Sequence, residues 1–150
     1  MNILISACLL GVACRYDGNP KGVEKIKNLT EKYNLIPICP EQLGGLSTPR
    51  YPAEIKSGKV INTHHEDVTS LYKKGAEETL KLAKIFNCSI AILKANSPSC
   101  GYGKIYDGSF SKTLIEGNGI TAELLLKNGI KILNEESLEL DNLVTTQVYN

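Results

Sequence analysis

The feature that most constrains this chain is a recurrence of short apolar runs, the first three each followed by a loop rich in glycine, proline or cysteine. The runs are NILISA at 2–7, LIPI at 35–38, SIAILKA at 89–95 and IKIL at 130–133. The segments between them are far longer than the two to five or so residues that close a hairpin, so neighbouring runs pair through crossovers. Helical periodicity fills the crossovers. Val68, Leu71, Tyr72, Gly75, Ala76, Leu80, Leu82, Ala83 and Phe86 give the best amphipathic helix, over 67–87. Val23, Ile26, Leu29 and Tyr33 predict a helix over 23–33. Thr121 to Lys127 predicts another, closed near Gly129, and NEESLEL starts a last one with Asn134 as its cap.

Strand and helix alternate throughout, which predicts an α/β fold: one Rossmann-like domain with a mainly parallel sheet flanked by helices. The domain spans 1–140, followed by a polar C-terminal tail over 141–150. Pro37 places LIPI at a sheet edge. KVINT at 59–63 reads as a strand outside the main sheet, and KIYDGSFSKTLI as a hairpin around Asp107-Gly108. The stretch from Cys39, CPEQLGGLSTPRYPAE, reads as loop because of its glycines and prolines.

A formal charge of +1 and a pI near 7.6 give no broad basic field, so no large nucleic acid is expected as a partner. No apolar run approaches the ~20 residues of a spanning helix, so no membrane partner is expected. The start, MNILISACLLGVAC, has the look of a signal peptide or of a lipobox at Cys14, but it lacks a basic n-region and Ser6 and Cys8 interrupt it. The expectation is a cytoplasmic protein, where free cysteines bind metal or react more often than they form structural disulfides.

The five cysteines fall unevenly on this pattern. In doubly wound sheets, ligands sit beyond the carboxyl ends of the strands. Cys8 follows the first run, Cys39 the second and Cys100 the third, so a strand order of two, one, three brings three thiols to one crevice. Cys14 shares the first loop and joins or borders the group. Cys88 precedes its strand and reads as a buried structural thiol. Small buried thiols near strand ends arise by accident too, so the pattern alone leaves both readings open. No CxxC pair is present, nor GxGxxG after a strand, nor GxxxxGK[ST], and His64 and His65 read as solvated. Of 17 basic residues only Arg15 and Arg50 are arginine, and both stand in the cysteine-bearing loops. Their planar charged forks are candidates for holding a substrate or anion, or for anchoring the loops.

The motifs SACLLGVACRYDG, CPEQLGGLSTPR, SPSCGYGKIYDGSF and GITAELLLKNGI, spread over about 3–140, resemble the thiouracil desulfidase family. That resemblance implies a [4Fe-4S] cluster held by Cys8, Cys39 and Cys100, with one iron lacking a protein ligand; Cys14 is the other candidate in the first motif. It implies catalytic roles for Glu41 in CPE and Ser97 in SPSC. The implied activity is non-redox, hydrolytic desulfuration of a thiocarbonyl substrate, thiouracil or a related small thiolated nucleobase, with release of hydrosulfide. The alternatives are a non-catalytic iron–sulfur sensor or sulfur-trafficking module, and a zinc- or redox-thiol-binding protein.

Overall fold

The computed structural model describes residues 1–145. Along the chain come β1 (Asn2–Ser6), α1 (Glu24–Lys27), β2 (Asn34–Ile38), α2 (Pro40–Leu43), β3 (Ala53–Lys56) and β4 (Lys59–Asn62). They are followed by α3 (Thr69–Ile85), β5 (Ile90–Ile92), β6 (Lys104–Tyr106), β7 (Leu114–Glu116), α4 (Ile120–Lys127), β8 (Lys131–Leu133) and α5 (Leu138–Thr145). Four strands form one parallel sheet in the order β2-β1-β5-β8, so the first three runs lie side by side in the expected order.

Side chains alternate across this sheet, as a pleat requires. Leu4, Ala91 and Leu93 pack on one face against Ala83 of α3 and Ala122 and Leu125 of α4. Ile3, Ile5 and Ile92 pack on the other against Ile26, Leu29 and Leu140. Because both faces are covered, the strands read as unbroken apolar runs. β2 is an edge strand, which is where Pro37 is tolerated.

Two small antiparallel hairpins, β3–β4 and β6–β7, lie outside the sheet. Ala53 and Val60 of the first pack on Tyr72 of α3.

Three local expectations change. The helix expected over 23–33 is one α-turn followed by a 3-10 turn over Asn28–Glu31. Thr30 Oγ1 donates to Lys27 O at 2.8 Å, the local side-chain bonding that competes with a continuing helix. The stretch after Cys39 contains the short α2, because Pro40 at its first position has its φ already set for a helix. Asn134 closes a turn through Glu136 N at 2.8 Å, while the helix itself begins at Leu138 and runs on through Thr145. The rest of the expected tail, 146–150, lies outside the described residues.

Candidate functional site

A cavity of about 410 Å³ opens where the loops after β1, β2 and β5 meet. Each loop delivers its thiol by a different local device. β1 passes directly into a 3-10 turn over Ala7–Leu10 that carries Cys8 and ends at Gly11, whose φ of 95° suits glycine. Cys39 is the residue before α2, so Glu41 is fixed in that helix's first turn. Cys100 sits in the SPSC turn, and the hydroxyl of Ser97 organises it: Ser97 Oγ accepts the backbone N–H groups of Ser99 and Cys100, each at 3.0 Å. Ser99 and Thr121, both fully buried, join their hydroxyls at 2.8 Å and tie this turn to α4.

The cavity wall holds Cys8, Cys14, Cys39 and Cys100 together with Glu41, Ser97, Arg15 and Arg50. All eight residues singled out in the sequence therefore face one space. Cys88 lies at the other end of the sheet, 6% exposed in the apolar core. Cys39 Sγ lies 3.7 Å from Cys14 O. Cys39 Sγ donates to Glu41 Oε2 at 3.3 Å, and Ser97 Oγ donates to Glu41 Oε1 at 3.5 Å. Ser6, the polar last residue of an apolar strand, donates to Cys100 Sγ at 3.5 Å and accepts Lys94 N at 3.0 Å.

The two arginines differ. Arg15 is partly exposed and pairs with Asp17 at 3.3 Å. The Arg50 side chain is 9% exposed; its Nη2 donates to Cys14 O at 3.0 Å and stands 3.9 Å from Glu41 Oε2. Its Nε has no hydrogen-bond partner among the described residues. A buried guanidinium N–H without an acceptor is costly.

Electrostatics favours neutral thiols in the metal-free site. The hydrogen bond with Cys14, burial and the Glu41 charge together push the Cys39 thiol well up. Burial, then the Glu41 charge, raises Cys100. Metal binding must therefore displace protons. Among the described residues no three His, Cys, Asp or Glu side chains converge as a single metal ion requires. Four thiols line the cavity, a donor type that suits soft metals and iron–sulfur clusters.

The sequence reading missed Ser6, Tyr72, Lys94, Glu54, Phe110 and Lys112, which also line the cavity. Ser6 and Lys94 had a signal, being polar residues at the carboxyl ends of apolar runs; the hairpin residues had none. Residues 51–66, of unassigned role in the sequence, supply β3 and with it part of the wall. His64 is exposed and stacks on Tyr51, with ring centroids 3.6 Å apart.

A parallel α/β sheet whose carboxyl end gathers thiols, an acid and a hydroxyl defines a protein built to bind and act on a soft ligand. The family model for 2-thiouracil desulfurase matches residues 3–137, and the chain belongs to that family. It is 47% identical over 146 residues to the uncharacterized protein YbbK of Bacillus subtilis, covering 91% of this chain and 97% of that protein. Among solved structures it is similar to the [4Fe-4S]-dependent thiouracil desulfidase TudS, with a TM-score of 0.89 and 40% identity over 97% of this chain and 98% of that one.

Proposed function

We propose that this protein is a [4Fe-4S]-dependent desulfidase that hydrolyses a small thiolated nucleobase and releases hydrosulfide. The observation that carries the reading is the Ser97–Glu41 hydrogen bond on the wall of the thiol-lined cavity. A sulfur carrier or sensor has no use for a hydroxyl and a carboxylate poised together.

Cys8, Cys39 and Cys100, one from each loop, would hold the cluster, with Cys14 beside them on the cavity wall. The fit rests on the donor set, four soft thiols on one cavity wall. Held by three thiolates, such a cluster would supply one Lewis-acidic iron able to polarise a soft thiocarbonyl group.

The rest falls to the chain's own side chains. Glu41 takes a proton from water, which attacks the thiocarbonyl carbon. Ser97 already accepts two backbone N–H groups, so its own proton is directed toward Glu41 and it orients that acid. Arg50, beside Glu41, offsets the charge gathered in the cavity. The C–S bond breaks, oxygen replaces sulfur, and hydrosulfide leaves without net electron transfer. Protons move from water to Glu41 and back to the departing sulfur. A near-neutral surface suits a small cytoplasmic substrate better than a polyanion.

The test is iron and acid-labile sulfide in protein purified without oxygen, with about four of each per chain expected, followed by hydrosulfide release from 2- and 4-thiouracil. Glu41→Gln should keep its iron and lose about 10²–10⁴-fold in turnover; unchanged turnover removes Glu41 from the reaction. Cys100→Ser should lose iron, and full iron in that variant removes Cys100 from the ligand set. Zinc in place of iron sinks the proposal.

A further inference from the structure

One wall of the cavity stands on a loop that is costly to hold. In the β6–β7 connection, over 107–113, Phe110 and Lys112 adopt left-handed backbone with φ of 57° and 61°. Such values strain a residue with a side chain and tend to mark ligand clamps and functional sites. Phe110 is also 40% exposed, so its ring forgoes burial as well.

What holds the loop is Glu54 on β3. The residue is 9% exposed, and its Oε1 accepts Gly108 N at 3.0 Å and Phe110 N at 3.1 Å. Gly108 approaches the other hairpin so closely that a Cβ there would lie 2.7 Å from Lys56 Cβ and 2.9 Å from Ile55 O. Asp107 Oδ1 closes the near side by accepting Ser109 N at 2.9 Å. One buried acid thus clamps two hairpins together and fixes the backbone of the exposed ring. Of the exposed rings at this cavity, Tyr51 is engaged by His64, and Tyr16 stands on unstrained backbone.

We infer that Phe110 is the platform on which a planar conjugated thiocarbonyl ring stacks, and that Glu54 is the positioning residue that holds Phe110 on the cavity wall. The inference rests on the desulfidase reading and narrows its substrate class. A stacked ring is favoured over an acyclic thiocarbonyl such as thiourea, which has little π-face to offer.

The chain has no tryptophan and two phenylalanines, so Phe110→Trp and Phe86→Trp each install a single reporter. Phe86 follows α3 at the opposite end of the sheet from the cavity. In cluster-loaded protein, 4-thiouracil should quench the first reporter saturably and the second only as it attenuates free tryptophan. Like curves at the two positions overturn the inference even if hydrosulfide is released. Saturable quenching at 110 without hydrosulfide upholds the inference and sinks the proposed reaction. Phe110→Ala, a change at an exposed site, should raise KM for thiouracil about tenfold with kcat nearly unchanged, and leave thiourea unaffected. Glu54→Ala should match that KM effect with iron content intact, while Glu54→Gln, whose amide oxygen accepts the same two N–H groups, should restore it. Loss of iron in Glu54→Ala, or an unchanged KM in Phe110→Ala, overturns the assignment.

Discussion

Cys14 is the residue whose role the metal-free protein can report directly. Its hydrogen bond with Cys39 favours the thiolate, but the one with Cys8, burial and the nearby charges outweigh it and push the thiol up to about 11 from its ordinary 9.0. With the folded-state value raised, the folded chain holds this proton more tightly than the unfolded chain does. The stability so gained is complete below pH 9 and is lost as the pH rises to about 11. Metal-free wild-type protein should therefore lose more melting temperature between pH 9 and 11 than Cys14→Ser, measured by circular dichroism in buffers free of thiols. Equal slopes would show that Cys14 does not carry this linkage. At this scale the sequence was legible where residue type and strand-end position coincided, as for Cys8, Cys39 and Cys100. Glu41 and Ser97 were visible through family motifs alone, because no periodicity marks an acid two residues beyond a thiol. Phe110 stayed hidden because exposure and left-handed backbone leave no pattern in the sequence.

The elements that aim these side chains depend on close approach more than on propensity. A Cβ on Gly75 would overlap the carbonyl oxygen of Pro40, and one on Gly44 would overlap that of Leu71. α2 and α3 therefore cross at a pair of glycines, each fitted against the other helix's backbone. This contact fixes α2, and α2 fixes Cys39 and Glu41. Gly75→Ala should destabilise the protein by about 1–3 kcal/mol through overpacking, read by urea denaturation, despite alanine's better helix propensity. It should also lower iron retention, because α2 must move away. A stabilised variant, with propensity winning, would show that the helices can slide apart freely. The helix of α3 was legible from its apolar repeat, yet within that repeat Gly75 looked like any small core residue. Only the partner helix, itself hidden in a stretch that reads as loop, gives the glycine its purpose.

At the scale of the whole molecule, the strand order was legible because parallel strands buried on both faces leave long apolar runs and require crossovers. That order decides the function, since it brings loops from three separate parts of the chain to one end of the sheet. Ile38 and Cys100 of the core also line the cavity, but the largest part of the core lies deeper: Ile3, Ile5, Ile92 and Leu125 are fully buried against helices and are not among the lining residues. Glu41 and Cys39, in contrast, meet groups of the other loops through hydrogen bonds of 3.5 and 3.7 Å, and a neutral thiol is a weak donor. Removing the cluster should then act locally. In hydrogen exchange, amides of 8–22, 39–52 and 95–103 should lose protection in metal-free protein, whereas β1, β5 and α3 keep theirs. The melting temperature should fall as well, because a ligand bound by the folded state alone stabilises it in proportion to its affinity. If the strands lose protection together with the loops, the cluster is part of what folds the sheet. The residues of β1 and β5, buried against helices on both faces, argue the other way: the sheet's packing needs no contact with a ligand in the site.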